Sequence, residues 1–249
     1  MDKSHKEKSK WFYTEHVSET KAVVLLAHGL NLKASKMDEL ALFFNAKKCD
    51  VLRISLGVKP KRWEELFEKD YEKALEHARI LERPLYFVGY SLGALLGLSF
   101  IDQHPNHEIK SQALFAPPLF TRKLSSIPIL LSFIFTGKSK IPSLNLPTYR
   151  YRSFTTLEEY KIFYFLQKKI RCSACALSTQ IILDPKDELI DGKRLIKFAE
   201  LNPLWKTLCI SKHNNQLPIK YHHLIIDRES TGALNWEKIL QNLSEHFSL

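Results

Sequence analysis

Short apolar runs alternate with stretches of helical periodicity along this chain, and no other feature restricts the fold as strongly. In the first half the apolar runs are Lys21–Ala27, Val51–Ser55, Leu85–Val88 and Ser111–Ala116, and the helical stretches are Lys36–Lys47, Arg62–Leu81 and Leu92–Gln103. A strand that is buried on both faces reads as a continuous apolar run, as KAVVLLA does at residues 21–27. This alternation predicts an α/β fold, with a mainly parallel sheet and helices on both faces.

The alternation stops at Pro117 and resumes only after Arg171. Between them lie proline-punctuated apolar pieces and one predicted helix, Leu157–Ile170. The later runs predict strands at Leu177–Leu183 and Thr207–Ser211 and helices at Ile190–Glu200 and Asn235–Phe247. An insertion of this length is typical of a cap over a site rather than of a plain connection. We therefore expect a polar N-terminal segment with a first strand at 1–20, and one domain at 21–249 with a cap insertion at about 117–171.

The composition excludes several classes of protein. The 249 residues are 45% hydrophobic and 26% charged, which is typical of a globular domain and not of a disordered or fibrous chain. The longest apolar stretch, Ile127–Phe135, has nine residues, whereas a membrane-spanning helix needs about 20. Residues 1–10 are rich in lysine and no apolar signal segment follows them, so we expect a cytoplasmic protein with reduced cysteines.

The net charge of +10 is concentrated in the insertion. Residues 117–171 hold ten Lys or Arg against two Glu, a local net charge of +8, and ten of the 28 aromatic residues. The basic side chains include Arg122, Lys123, Lys138, Lys140, Arg150 and Arg152. Such a surface can bind anionic lipid headgroups, an anionic substrate or nucleic acid, or it can be a solvated face. We expect contact with an anionic membrane rather than with nucleic acid, because the sequence has no recognised nucleic-acid-binding motif.

The pentapeptide Gly89-Tyr90-Ser91-Leu92-Gly93 lies where a predicted strand becomes a predicted helix. The chain has only eight glycines, and two of them bracket Ser91. Such a G-x-S-x-G turn holds its serine in strained backbone angles, and the residues two positions away must lack side chains for strand and helix to approach. The hydroxyl also lies at a helix N-terminus, which favours developing negative charge. Ser91 is therefore a candidate nucleophile, because a simple helix N-cap would not require both glycines.

In these residues the sequence resembles the α/β-hydrolase family, and within it the bacterial carboxylesterases and monoacylglycerol-lipase-like serine hydrolases. The resemblance extends from Lys21 onward and includes His28-Gly29-Leu30 directly after an apolar strand. It implies an α/β-hydrolase fold with a cap, and an oxyanion hole formed by the backbone N–H groups of Leu30 and Leu92. For His28 we expect a structural role. The resemblance implies no metal and no organic cofactor.

In this family the chain order of the catalytic residues is Ser, then an acid, then His. After the next predicted strand the sequence reads DPKDELI, and the family pattern there favours Asp187, with Asp184 as a turn former before Pro. For the base, the family pattern favours His223, because an apolar run and an acid follow it. The adjacent His222 stays open as an alternative, whereas His213 is interpreted as a surface or turn residue.

A serine attacks an ester carbonyl only when a base takes its proton, and a carboxylate fixes the tautomer of that base. We therefore predict a serine hydrolase that cleaves small-molecule carboxylic esters through an acyl-enzyme, with Ser91, His223 and Asp187 as the catalytic triad. The apolar pieces Ile127–Phe135 and Phe163–Phe165 are candidates for lining an acyl pocket. Two alternatives remain, an acyl thioesterase and a catalytically inactive hydrolase-fold protein that only binds.

The cysteines suggest one further site, which we reject. Cys172, Cys175, Cys209 and His213 have the outline of a zinc site, but the segment between them includes the predicted acid loop. We interpret Cys209 as a buried strand residue and expect no metal.

Overall fold

The computed structural model describes residues 7–123, 127–143, 145–170, 176–212 and 219–249. Its strands are β1 (Lys10–Phe12), β2 (Ala22–Ala27), β3 (Cys49–Arg53), β4 (Leu85–Tyr90), β5 (Ile109–Phe115), β6 (Lys140–Pro142), β7 (Phe154–Thr156), β8 (Ser178–Leu183) and β9 (Trp205–Cys209). Seven of them form the central sheet in the order β1-β3-β2-β4-β5-β8-β9, and β6 and β7 form a separate two-stranded sheet. Strand β1 pairs antiparallel with β3, whereas the other described pairs of the central sheet are parallel.

The helices connect these strands. They are α1 (Asp38–Ala46), α2 (Trp63–Leu81), α3 (Leu92–Gln103), α4 (Ile127–Ile134), α5 (Leu157–Lys169), α6 (Gly192–Glu200), α7 (Arg228–Thr231) and α8 (Ala233–Phe247). None of those in the described ranges combines the length and the apolarity that a membrane crossing requires. The α/β class that the alternation predicts is confirmed.

Helices cover both faces of the central sheet. Neighbouring residues of a strand point to opposite faces. On β4, the ring of Tyr86 lies 4.8 Å from that of Phe247 on α8, and the ring of Phe87 lies 5.5 Å from that of Phe67 on α2. The two helices therefore pack on opposite faces. Because the central strands are covered from both sides, β2 is buried at every position and its sequence shows no apolar-polar alternation.

Three strands begin two residues earlier than the sequence predicts, because each contains a polar residue near its start. In β3 this residue is Asp50, which is buried and accepts hydrogen bonds from the Thr14 N–H and His77 Nε2, both at 2.7 Å. In β5 and β9 it is an exposed lysine, Lys110 and Lys206 respectively. The interpretation of Cys209 as a buried residue is wrong, since it ends this edge strand and is exposed.

The insertion between β5 and β8 has more regular structure than the sequence predicts. It contains α4 and the β6–β7 pair as well as α5. Helix α4 escaped prediction because Pro128 interrupts its short apolar stretch, but a proline in the first turn of a helix removes no hydrogen bond. Helix α5 begins with a capping box, in which Thr156 and Glu159 each bond the backbone N–H of the other.

Candidate active site

Ser91 occupies the tight turn between β4 and α3. Its backbone angles are φ 51° and ψ −113°, which residues with a side chain rarely adopt. A Cβ atom on Gly93 would lie 2.4 Å from the carbonyl oxygen of Ala27, and one on Gly89 would lie 2.8 Å from the backbone of Ala94. Both glycines are therefore required by the close approach of strand and helix around the serine.

Three side chains from distant parts of the chain form one hydrogen-bonded series. Ser91 Oγ lies 3.0 Å from His223 Nε2, and His223 Nδ1 lies 2.7 Å from Oδ2 of Asp187. Because an ionised carboxylate only accepts hydrogen bonds, Nδ1 carries the hydrogen and Nε2 accepts from the serine hydroxyl. The side chains of His223 and Asp187 are 4% and 0% exposed. The imidazole is thus held in the tautomer that can take the serine proton.

Asp187 is fixed through both of its carboxylate oxygens. While Oδ2 accepts from His223, Oδ1 accepts from the N–H groups of Leu189 and Ile190 at 2.7 and 3.0 Å. These two residues precede α6, in the apolar stretch that the sequence analysis used to select this aspartate. The carboxylate therefore cannot rotate without breaking several hydrogen bonds.

The alternative residues Asp184 and His222 form a second pair beside the first. His222 Nδ1 lies 2.7 Å from Asp184 Oδ2, which also accepts from the N–H of Lys212 at 3.2 Å. Within the described part of the chain, the Ser91 hydroxyl is hydrogen-bonded to His223 and not to His222. The structure therefore brings Asp187 and His223 to the serine, whereas Asp184 and His222 pair with each other.

The turn 221–224, which carries His223, is held by three side chains. The sequence analysis did not predict this role for any of them. The Tyr90 hydroxyl donates to the carbonyl of His223 at 3.2 Å. Glu188 accepts from the N–H groups of His222 and His223, both at 3.0 Å. Lys212 Nζ donates to the carbonyl oxygens of residues 221 and 224 at 2.6 and 3.0 Å. The backbone of this turn is thus bonded on both its donor and its acceptor groups.

Lys212 is unusual because it is a lysine with only 2% of its surface exposed. Burial lowers the pKa of its amine to about 8, although the nearby carboxylate of Asp184 acts in the opposite direction. In the sequence it is a single lysine just after a predicted strand, so no local pattern distinguishes it from a surface residue. Lys212 acquires its role of holding the turn 221–224 only when this turn packs over its amine in the fold.

The two predicted oxyanion donors lie next to Ser91. Leu92 is the first residue of α3, directly after Ser91. A Cβ atom on Gly29 would lie 3.2 Å from the Cβ of Ser91, so the loop that carries Leu30 passes beside the serine. In the described residues, neither the Leu30 nor the Leu92 N–H has an acceptor. Both donors are therefore available to a negatively charged oxygen.

His28 is buried and hydrogen-bonded on both ring nitrogens. Its Nε2 accepts from the N–H of Leu56 at 3.1 Å, so Nδ1 carries the hydrogen and donates to the carbonyl of Gly29 at 2.8 Å. Burial lowers the pKa of its imidazole to about 4, which keeps the ring neutral near pH 7. These contacts hold the start of the loop that carries Leu30, and they agree with the structural role that we expect for His28.

A cavity of about 70 Å³ opens at Ser91 and His223, and most of its wall is apolar. The wall comes from the sheet edge and from the insertion, and it includes Leu30, Tyr90, Ile129, Tyr160, Phe163, Leu189 and Tyr221. From the two predicted acyl-pocket pieces, Ile129 and Phe163 line this cavity. A second apolar cavity of about 200 Å³ borders the same loop at Gly29 and Asn31.

Several basic residues of the insertion are bonded within the protein. Arg122 Nε donates to the carbonyl of Ile190 at 3.0 Å, and Arg152 forms an ion pair with Glu159 at 2.5 Å. The predicted residues Cys172, Cys175 and His213 lie outside the described residues. Among the residues that are described, no three His, Cys, Asp or Glu side chains are grouped as metal ligands would be.

The sheet order and the serine at the strand-to-helix turn define an α/β hydrolase. A family model described as serine aminopeptidase, S33, matches residues 18–169, which is more than half of the chain. The chain therefore belongs to this family of serine hydrolases. The matched region includes Ser91 and ends before Asp187 and His223. No curated protein matches the chain.

Solved structures share the fold at low sequence identity. A soluble variant of monoglyceride lipase from Saccharomyces cerevisiae, in complex with a substrate analog, has a TM-score of 0.70 at 14% identity, with 96% of this chain and 91% of that chain covered. Monoacylglycerol lipase from Paleococcus ferrophilus has a TM-score of 0.70 at 13% identity, covering 96% and 100%. A carboxyl esterase from Bacillus coagulans, in complex with glycerol, has a TM-score of 0.68 at 11% identity, covering 96% and 93%. The α/β-hydrolase resemblance seen in the sequence is confirmed.

Proposed function

We propose that the protein is a serine esterase that hydrolyses carboxylic esters with apolar acyl groups through a covalent acyl-enzyme. The hydrogen-bonded series Ser91–His223–Asp187 carries this proposal, because its distances of 3.0 and 2.7 Å and the tautomer of the imidazole suit proton transfer from the serine. Two N–H groups beside the serine that have no acceptor among the described residues, and an apolar cavity at its hydroxyl, support the same reaction.

In the first half of the reaction, Ser91 Oγ attacks the carbonyl carbon of the ester while its proton moves to His223 Nε2. The carbonyl oxygen gains negative charge and accepts hydrogen bonds from the Leu30 and Leu92 N–H groups. Asp187 stays ionised and stabilises the imidazolium. The imidazolium then gives its proton to the oxygen of the leaving alcohol, and the acyl group stays on the serine.

In the second half, water takes the place of the alcohol. His223 accepts a proton from the water as its oxygen attacks the acyl carbon, and the same N–H groups stabilise the second oxyanion. The imidazolium returns the proton to Ser91 Oγ, which releases the carboxylic acid. Every proton is carried by His223, so the reaction needs no further titratable side chain.

The apolar wall of the cavity predicts a preference for acyl groups longer than acetyl. Each buried methylene contributes about 0.8 kcal/mol, so we expect kcat/KM for p-nitrophenyl butyrate to exceed that for the acetate roughly tenfold. Phe163→Ala should reduce this ratio because Phe163 lines the cavity. Phe165→Ala on the same helix should leave it unchanged, because Phe165 is exposed. Equal ratios in the wild type and both variants would exclude this cavity as the acyl site.

Two alternatives are separated by direct assays. A thioesterase would use the same residues, so the corresponding thioester series, measured beside the oxygen esters, decides which leaving group is preferred. A catalytically inactive binding protein would turn over neither series. We favour the esterase because the serine, histidine and aspartate are all present with complete hydrogen bonding, and because solved structures of the same fold are described as monoglyceride lipases and carboxyl esterases. Monoacylglycerols are the corresponding candidate substrates.

We also propose peripheral contact of the insertion with anionic membranes. Apolar side chains that are 46% to 66% exposed lie on and near α4, namely Ile127, Leu130, Phe133, Ile134, Phe135 and Phe165. Lysines flank this apolar patch, and Lys161 Nζ lies 5.3 Å from the centroid of the Phe133 ring. An apolar surface bordered by cations suits the boundary between headgroups and acyl chains.

Sedimentation with phosphatidylserine-containing vesicles at low salt tests this contact. We expect the wild type to sediment with these vesicles and the variant Leu130→Asp/Ile134→Asp to stay in the supernatant, because two carboxylates oppose both the apolar and the electrostatic attraction. Vesicles of phosphatidylcholine alone are the control for charge. Failure of the wild type to sediment at low salt would exclude the proposed contact.

A further inference from the structure

Asn31 directly follows Leu30 and ties the oxyanion loop to the insertion. Its side chain is buried, and its backbone has φ 51°. The amide nitrogen Nδ2 lies within hydrogen-bonding distance of Ser143 Oγ and of the carbonyl oxygens of Arg152 and Phe154, at 2.8, 2.8 and 3.2 Å. Its Oδ1 accepts from the N–H of Arg152 at 2.9 Å. Both ends of the amide are therefore bonded to the segment 143–154 of the insertion.

The backbone around Leu30 is bonded to the same segment. Asn145 Nδ2 donates to the carbonyl oxygen of Leu30 at 2.7 Å, and the N–H of Tyr151 donates to the carbonyl oxygen of Asn31 at 2.9 Å. These contacts fix the two peptide planes that follow the Leu30 N–H. The Leu30 N–H belongs to the preceding peptide plane, which is joined to these anchored planes through the φ and ψ angles of Leu30, so the anchors limit how far the N–H can be displaced.

The segment 143–154 also contacts the part of the chain that follows His223. The hydroxyl of Tyr149, a fully buried residue, lies within hydrogen-bonding distance of both carboxylate oxygens of Asp227, at 2.9 and 2.7 Å. Asp227 caps α7, four residues after His223. One segment of the insertion therefore bonds the loop of the oxyanion donor on one side and the region of the base on the other.

We propose that Asn31 is a positioning residue of the reaction, which acts by holding the Leu30 N–H where the ester oxygen develops its negative charge. The inference rests on the proposed function, since it requires an oxyanion at this place. An oxyanion donor is effective only within about 2.7–3.1 Å of the charged oxygen, and a small displacement weakens the hydrogen bond in the transition state. The insertion thereby contributes to the chemical step as well as to the cavity wall.

Two substitutions at this position test the proposal. Asn31→Asp keeps the shape but turns a donor into an acceptor that faces the carbonyl oxygens of Arg152 and Phe154, so the loop is repelled from the insertion. Asn31→Gly removes the side chain and accepts the positive φ without strain. Asn45→Asp is the matched control, because Asn45 lies at the end of α1, away from the site, and its side chain makes one 3.4 Å contact with the carbonyl of Cys49.

We expect both Asn31 variants to lower kcat by about 10- to 100-fold with little change in KM, which is less than the roughly 10²- to 10³-fold loss typical of removing an oxyanion donor. The sharper measurement uses two inhibitors with the same alkyl chain. A trifluoromethyl ketone forms a tetrahedral oxyanion with the serine, whereas the unfluorinated methyl ketone serves as a ground-state probe. The variants should lose affinity for the trifluoromethyl ketone in proportion to kcat and keep their affinity for the methyl ketone.

A structural role alone predicts a different pattern. If both variants melt at a lower temperature but bind the two ketones in the wild-type ratio, the proposal is wrong. It is also wrong if kcat in both variants equals that of Asn45→Asp. If Asn31→Asp does not fold, Asn31→Gly decides the question by the same ratio. Failure of the proposed function is recognised separately, because the wild type would then form no adduct with the trifluoromethyl ketone.

Discussion

Replacement of Ser91 by alanine lowers kcat for p-nitrophenyl butyrate by a factor on the order of 10⁵, while KM changes little. The physical reason is that the acyl-enzyme cannot form without Oγ, so only the slow attack of water on the bound ester remains. Residual activity above the uncatalysed rate is expected, because the Leu30 and Leu92 N–H groups still stabilise the oxyanion. The measurement is steady-state release of p-nitrophenolate by purified protein, with circular dichroism to verify folding.

The histidines provide the matched comparison for this prediction. His223→Ala should lose about as much activity as Ser91→Ala, and the double variant should lose hardly more than either, because the two groups act as a unit. His222→Ala is the control, since its ring pairs with Asp184 and does not contact the serine; kcat should stay within the same order of magnitude. A larger loss in His222→Ala than in His223→Ala would show that His222 is the base and that the assignment to His223 is wrong.

The second large effect is expected at the acid. Asp187→Asn keeps the volume of the side chain but can present an amide NH₂ to His223 Nδ1, which favours the tautomer with its hydrogen on Nε2. That tautomer cannot accept the serine proton, and the expected loss in kcat is about 10⁴-fold. The buried carboxylate also accepts two backbone N–H groups, so thermal unfolding should be measured beside the kinetics.

Asp184→Asn is the appropriate control because Asp184 makes the same 2.7 Å contact to the neighbouring histidine. Both variants remove one buried negative charge from the same loop, so general effects on the loop should be similar. Only Asp187→Asn should suppress kcat by orders of magnitude. Equal losses in the two variants would mean that the loop tolerates no amide, and that the tautomer of His223 is not the cause.

The parts of the site that depend on local sterics could be predicted from the sequence. The glycines at 89 and 93 indicate how closely strand and helix approach at Ser91, and the distances to Ala94 and Ala27 give the same reason in the structure. The central strands were predictable for a similar reason, because complete burial leaves continuous apolar runs. Boundaries failed where a polar residue had a partner elsewhere, as at Asp50 with Thr14.

The rest of the site depends on contacts between distant segments. The sequence alone leaves the choice of base between His222 and His223 open, because the two residues are adjacent. In the fold, each of them has an aspartate oxygen at 2.7 Å, so the histidine-aspartate contact does not distinguish them either. The orientation of the two rings depends on the turn 221–224, which is held by Glu188, Lys212 and Tyr90 from three separate parts of the chain. Asn31 has no sequence signal either, since its partners lie more than 110 positions away. Local patterns cannot encode such pairs.

Direct detection of the acyl-enzyme tests the central claim. Mixing with p-nitrophenyl acetate and quenching in acid within the burst phase should leave one acetyl group on the peptide that contains Ser91, as read by peptide mass spectrometry. The Ser91→Ala protein should carry none, and Asp187→Asn should acquire the group far more slowly. An acetyl group on another residue, or steady turnover without any acylated peptide, would contradict nucleophilic catalysis by Ser91.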